Sequence, residues 1–307
     1  MRPRTRRDVL RASALAALAV PLAACRTGYS DDPDPLALLA EQARADAAAA
    51  GAVAATADAD VARQYAAART AHAQALQSEV DRLNRPKAAV HVVVPAEQGV
   101  AGLKQRLATA RQQAEGLVGG LPRYRAGLVA AVAGGCAGLQ QVGNKLGPGT
   151  DPGEVTATAS AIPPEAAGPV QEALSAEHAA LWIYGLVSAF LPDTYAAGVA
   201  EGTAEHHDRR DACVRMLTAV GVEPGAAEPA YITPRPVTDA TSAKSVVATA
   251  EADAATAWRG VLEQTDDAGL RSVALKALLA SARRGTRWRE AAGEQPTAIV
   301  LPGSAQS

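Results

Sequence analysis

The fold follows from one apolar stretch, Leu174-Ser-Ala-Glu-His-Ala-Ala-Leu-Trp-Ile-Tyr-Gly-Leu-Val-Ser-Ala-Phe-Leu191, which has the pattern of a helix with an acid in its buried stripe. Steps of three, four and seven residues from Glu177 reach Leu174, Leu181 and Tyr184, so the carboxylate lies on the apolar face. A buried carboxylate is costly unless a cation, a metal ion or several hydrogen-bond donors meet it. The partner of Glu177 is therefore the central question for function.

Composition predicts helical bundles with shallow cores. The 307-residue chain is 48% hydrophobic but only 3% aromatic, and alanine supplies most of the apolar residues. Alanine favours helix and lets helices approach closely, although each residue buries little surface. The net charge of −2 comes from interspersed acids and bases. The chain therefore lacks the basic surface of a nucleic-acid-binding protein.

Residues 1–24 have the pattern of an export signal, with a charged start, a short apolar run and small residues before a cleavage site. Arg6 and Arg7 resemble the paired arginines of twin-arginine export. The Leu-Ala-Ala-Cys run that ends at Cys25 resembles a lipobox, which predicts acylation of that cysteine. The alternative is an ordinary secretory signal with an incidental cysteine. Because two or more acyl chains anchor a protein stably, we expect the mature protein on the outer face of the cell membrane, behind a tether at 25–35.

From Leu36 the pattern is helical in two halves, 36–147 and 169–292, separated by a Gly- and Pro-rich linker at 148–168 and followed by a tail at 293–307. In each half, short turns join helices one and two and helices three and four, and a long connection joins helices two and three. The connection in the second half has about 20 residues and can extend about 60 Å, whereas a 20-residue helix is about 30 Å long.

That middle connection can therefore run the length of the bundle and leave helix three parallel to helix two. Two hairpins joined by one long crossover are the ferritin-like topology. We predict an all-α protein of two tandem four-helix bundles, the C-terminal one ferritin-like with a long helix 2–3 crossover.

The two halves can also be aligned as an internal repeat. Ala40-Glu-Gln-Ala43 matches Ala176-Glu-His-Ala179, and His72 matches His206. This alignment predicts that Glu41 corresponds to Glu177.

Two further cysteines, Cys136 and Cys213, each lie in an apolar helical pattern. Outside the cytoplasm they could form a disulfide. They could equally remain as buried free thiols, which we favour because each sits in an apolar stripe.

Two segments of the second half resemble a known family: Ala176-Glu-His-Ala-Ala-Leu-Trp-Ile-Tyr-Gly185 and Glu205-His-His-Asp-Arg-Arg-Asp211. Together with the crossover from Val222 to Pro234, they resemble the uncharacterised ferritin-like domain family of actinobacterial, twin-arginine-exported lipoproteins. The resemblance covers roughly 169–292. A catalytic ferritin-like protein would carry two metal ions, held by one Glu from each of two helices and by Glu-x-x-His from each of the other two.

The chain departs from this metal-binding pattern. Glu177 can stand for the acid of helix one and Glu251 for the acid of helix three. Helix two offers Glu205 and His206 but no Glu-x-x-His motif, and helix four has no acid or histidine between Leu270 and Arg284. One complete ligand arm is therefore missing.

Two functions remain open at this point. In the first, which we favour, the protein is a non-enzymatic binding or scaffold module without a cofactor, and helix-four arginines pair with a polar core of Glu177, Glu205, His206 and Glu251. In the second, the same four residues hold one divalent ion such as Zn²⁺, Fe²⁺ or Mn²⁺ in a redox or storage protein. Any enzymatic activity would then be that of a metal-dependent oxidoreductase. No nucleophilic triad or phosphate-binding loop is evident in the sequence.

Overall fold

The structure is a computed structural model that describes residues 33–83, 92, 98–155 and 162–304. These residues form the helices α1 Pro35–Gly51, α2 Ala59–Leu83, α3 Gly99–Val118, α4 Arg123–Leu139, α5 Ala167–Val187, α6 Ala196–Ala219, α7 Ala240–Gln264 and α8 Ala268–Ala292. The predicted all-α class is confirmed over this part of the chain. Within it, none of the helices is both long and apolar enough to span a membrane. The export and lipidation residues Arg6, Arg7 and Cys25 lie outside the described residues.

Polar caps set several helix starts. Asp239 accepts from the backbone N–H of Ser242 in a capping box at the start of α7. Asp267 caps α8 by accepting from the N–H of Leu270. Asp193, by contrast, does not cap α6. Its backbone carbonyl accepts the N–H of Ala196 in a 3₁₀ turn, so the α-helix begins only after that turn.

The second half consists of two antiparallel hairpins. On α5, Glu177 bonds to His206 of α6, and Tyr184, two turns later, packs against Gly202, so α5 and α6 run in opposite directions. The bonds that α8 makes to α6 and to α7 likewise run in opposite order along the chain. Consequently α6 and α7 run in the same direction, and the connection from Val220 to Asp239 crosses the bundle as predicted.

The two halves share hydrophobic contacts across α4. One cluster includes Leu36 and Val129 of the first half together with Leu174 and Leu278 of the second. Nearly all of α4 is buried, and it packs against α7 and α8 as well as against α2 and α3. This helix is therefore the central contact between the halves.

The C-terminal tail also reaches the first half. A Cβ placed on Gly135 would lie 1.9 Å from the carbonyl oxygen of Val300, and one on Gly134 would lie 3.3 Å from Pro302. The glycines of α4 thus leave room for the tail to pass against the helix backbone.

Candidate functional site

Glu177 lies at the centre of the second bundle and is fully buried. Its Oε1 accepts a hydrogen bond from Trp258 Nε1 at 2.6 Å, and its Oε2 accepts one from His206 Nδ1 at 2.5 Å. The nearest guanidinium nitrogen of Arg209 is 4.0 Å from Oε1. Both carboxylate oxygens are therefore satisfied by donors from α6 and α7.

Glu251 is the second fully buried acid. Its Oε1 accepts from Tyr184 Oη at 2.6 Å, Arg284 Nε at 2.7 Å and His206 Nε2 at 3.2 Å, and its Oε2 accepts from Arg284 Nη2 at 3.3 Å. Gly202 allows this arrangement, because a Cβ there would lie 2.3 Å from the Tyr184 ring. A glycine on α6 thus lets the tyrosine hydroxyl reach an acid on α7.

A third acid, Glu205, joins the group at its edge. Its carboxylate pairs with Arg209 at 2.8 Å and also with Arg284. Its side chain is 37% exposed, whereas those of both arginines are almost fully buried. Three carboxylates thus face three cations, and we call this set the acid–cation network: Glu177, Glu205, Glu251, His206, Arg209 and Arg284.

The charge states follow from these contacts. Burial by itself would lower the pKa of His206, but the two carboxylates beside it outweigh burial and raise that pKa. Burial opposes ionisation of Glu251 as well, yet Arg284 and then His206 hold the pKa of this carboxyl well below its usual range. The pKa of Glu177 is lowered against burial, chiefly by His206. His206 is therefore an imidazolium whose two N–H groups each donate to a carboxylate.

We tested whether these residues suit the metal ions that a ferritin-like resemblance implies. A metal ligand needs a free lone pair, but both nitrogens of His206 are occupied by carboxylates. The guanidinium of Arg284 binds Glu251 and Glu205 together, so a cation already lies between the acids. No group of three or more His, Cys, Asp or Glu among the described residues has the geometry to hold a metal ion. The donors as arranged do not fit one.

The structure brings the predicted residues together but changes their partners. Glu177, His206 and Glu251 meet in the core, and Glu205 lies at its solvent edge. Helix-four arginines were expected to pair with this polar core, and Arg284 does so through Glu251 and Glu205. Glu177 is bound instead by His206 and Trp258.

Two other arginines of α8 have different partners. Arg287 pairs with Glu201 at the surface, and Arg283 donates to backbone carbonyls. Sequence reasoning missed Arg209, although it lies three residues after His206 and so falls on the same helix face.

Comparison with known proteins places this site within a family. Residues 169–306 match a family described as a domain of unknown function (DUF4439). The chain is also similar to a conserved hypothetical protein, rv2844, from Mycobacterium tuberculosis, whose crystal structure shares 37% identity with it. That match covers 43% of this chain and 93% of that one, with a TM-score of 0.41. The match to DUF4439 thus covers the second half of the chain. Among curated proteins, none matches it.

The DUF4439 region contains the whole acid–cation network, the crossover and the tail segment that reaches α4. The network is therefore self-contained within the domain.

Of the two cysteines among the described residues, Cys136 lies outside this domain and Cys213 within it. Both are buried free thiols, so they form no disulfide with each other.

Outside the DUF4439 domain, the first half has a different polar core. Its most deeply buried acid is Asp46, which pairs with Arg69 at 3.0 Å and Arg106 at 3.3 Å. Glu41, which the repeat alignment matched with Glu177, instead has a half-exposed side chain paired with Arg44, because it lies on the solvent side of α1. The two aligned acids therefore differ in burial and in partner.

His72 is buried in the first half and, unlike His206, it is uncharged. Its Nε2 donates to Val300 O at 2.7 Å, and its Nδ1 accepts from Arg69 Nη1 at 3.0 Å. Burial and then the adjacent guanidinium lower the pKa of His72 to about 3. The two halves therefore bury one neutral and one charged histidine.

Proposed function

We propose that this DUF4439 protein is a non-enzymatic binding or scaffold module of ferritin-like topology, in which the acid–cation network replaces an ancestral metal site. One observation carries the proposal. The Arg284 guanidinium from α8, the helix without a ligand motif, binds Glu251 at 2.7 Å and also pairs with Glu205.

Charge balance supports this function. A carboxylate-rich metal site of the ferritin-like kind binds its cations through an excess of buried negative charge, whereas here three acids are matched by three protein cations. A metal ion could enter only if Arg284 moved out of the core, which would leave a guanidinium without its partners. The network is therefore suited to holding four helices in a fixed arrangement rather than to redox chemistry.

The proposal also places the protein outside the cytoplasm, anchored by lipid on Cys25. Its support is the order of the sequence signals, with Arg6 and Arg7 before the apolar run and the lipobox-like residues after it. An anchored module of this kind would present its helical bundles to partners at the membrane surface.

Metal analysis of the purified mature protein tests the function. The protein is prepared with Fe²⁺, Mn²⁺ or Zn²⁺ supplied during expression and then desalted. We expect substoichiometric metal and an unfolding transition that a chelator leaves unchanged. About two equivalents of iron or manganese per chain would overturn the proposal, because that is the content of a working ferritin-like site.

Detergent phase partitioning tests the anchor. Wild-type protein should enter the detergent phase, and Cys25→Ser should move it to the aqueous phase. Replacing Arg6 and Arg7 together with lysine should leave the unprocessed precursor in the cytoplasm. A Cys25→Ser protein that still partitions into detergent would contradict the lipid anchor.

A further inference from the structure

A cleft of about 510 Å³ lies on the outside of the second bundle, between α5, α6 and the crossover. Its volume is in the range of small-molecule sites, which are roughly 300–1,000 Å³. Tyr184 contributes to its lining, but none of the six residues of the acid–cation network does. The cleft is therefore a separate feature for which the network provides no explanation.

Two aromatic rings from different segments form one wall of the cleft. Trp182 of α5 and Tyr231 of the crossover have ring centroids 6.0 Å apart and planes tilted by 55°. The crossover is held nearby by His178, whose Nε2 donates to Gly225 O at 3.3 Å. The wall therefore depends on the crossover path, and it presents apolar ring surface to the cleft.

The polar groups of the cleft are mixed in kind and nearly balanced in charge. Arg210 is the cation of the lining, and Asp211 already pairs with it at 2.7 Å. Glu228 supplies an acid, whereas Thr203 and His207 offer groups that have no partner among the described residues. The cleft thus offers both hydrogen-bond donors and hydrogen-bond acceptors, and it has no strong electrostatic potential of either sign.

Gly185 keeps the mouth of the cleft open. It lies inside α5 and is exposed, and a Cβ placed on it would meet nothing within 4 Å. Glycine weakens a helix interior relative to alanine and longer helix formers. Neither packing nor backbone conformation requires glycine here, so its effect is to leave the cleft accessible.

We propose that this cleft binds a neutral sugar ring. A sugar presents an apolar C–H face that can pack on an aromatic wall, and a rim of hydroxyls that both donate and accept hydrogen bonds. An anionic ligand would be repelled by Glu228, and Arg210 is already paired. A purely apolar ligand would leave the polar groups of the lining without hydrogen-bond partners. The inference rests on the proposed function as a binding module and names the class of ligand.

Binding is tested with the full mature chain on an array of immobilised neutral and acidic glycans. The strongest neutral glycan is then titrated in solution and followed by tryptophan fluorescence. Trp258 and Trp288 are 0% and 5% exposed, so a change in acrylamide quenching reports on Trp182. We expect saturable binding of a neutral glycan that protects this residue from the quencher.

Variants then assign the binding to the cleft. Trp182→Ala should weaken binding at least tenfold, whereas Tyr124→Ala, which truncates an exposed aromatic residue of the first half, should leave it unchanged. Gly185→Gln should raise the melting temperature, because glutamine is the better helix former, and should also weaken binding at least tenfold by filling the mouth. This second variant separates loss of binding from loss of folding.

The proposal is overturned if no glycan binds, if only acidic glycans bind, or if Gly185→Gln binds as well as wild type. Each of these results is independent of metal content. A metal-free protein that binds no sugar would therefore leave the proposed function in place and remove only the sugar site.

Discussion

Replacing Glu177 with glutamine removes one charge from the acid–cation network while nearly preserving its shape. Trp258 can still donate to the amide oxygen, but His206 Nδ1 loses the carboxylate acceptor at 2.5 Å. A hydrogen bond to a charged group contributes about 1.5–3 kcal/mol, and breaking a buried ion pair costs about 3–5 kcal/mol. Because His206 can release its proton once the carboxylate is gone, the loss of stability is limited. We expect the free energy of unfolding to fall by about 3 kcal/mol.

Urea unfolding of the full chain, followed by far-ultraviolet circular dichroism, measures this loss. The loss of stability should grow below about pH 6.5 by up to ~1.4 kcal/mol per pH unit, because the release of the His206 proton in the folded variant then becomes costly. Glu201→Gln is the matched control: Glu201 pairs with Arg287 at 2.7 Å with both side chains 45% exposed, so its loss should stay below about 1 kcal/mol. A Glu177→Gln loss no larger than this control would refute the reasoning. A chelator that reproduced the loss in wild type would indicate a metal ion instead.

Three further predictions concern the two buried histidines and the tail. The pKa of His206 is raised on folding, so its contribution to stability is complete below about pH 6.5 and is lost as pH rises through the folded pKa. His206→Gln should remove this pH dependence from the free energy of unfolding, measured by urea unfolding across pH. An unchanged pH dependence would count against an imidazolium. The pKa of His72 is lowered to about 3, so stability should instead fall below about pH 6.5 by up to ~1.4 kcal/mol per pH unit. In the same measurement, the stability of His72→Gln should fall less steeply at acid pH. A fall as steep as that of wild type would contradict the neutral histidine. Gly135→Ala would bring a methyl group 1.9 Å from Val300 O. It should lower the free energy of unfolding by about 1–3 kcal/mol and speed proteolysis of the tail. The control is Gly116→Ala, where a Cβ meets nothing within 4 Å. Equal proteolysis of the two variants would argue against the close contact.

Much of the second half could be predicted without coordinates. The helical period placed Glu177, His206 and Glu251 on buried faces, and all three are fully buried. The length of the connection between helices two and three predicted the crossover, because a chain of about 20 extended residues can span a helix. These are local properties, since they depend on spacing along the chain and on chain length.

Other features could not be predicted because they depend on which helices face one another. The repeat alignment matched Glu41 with Glu177, but the side chain of Glu41 is half-exposed and Asp46 is the buried acid of α1. Nothing in the spacing indicated that α4 would pack against both halves or that Val300 would reach His72 across more than two hundred residues of sequence. A long-range contact leaves no periodic signal in either segment.

The amino-acid sequence is enough to predict the helices, their hairpin and crossover connections, the burial of the acids and the lack of a ligand motif on the fourth helix. The partners of the buried acids depend on how the helices pack: Arg284 bonds to Glu251 rather than to Glu177, and His206 lies between two carboxylates and keeps its proton. Burial follows from the side chain's position on its own helix, whereas the charge state of a buried group follows from the groups that neighbouring helices place within a few ångströms of it.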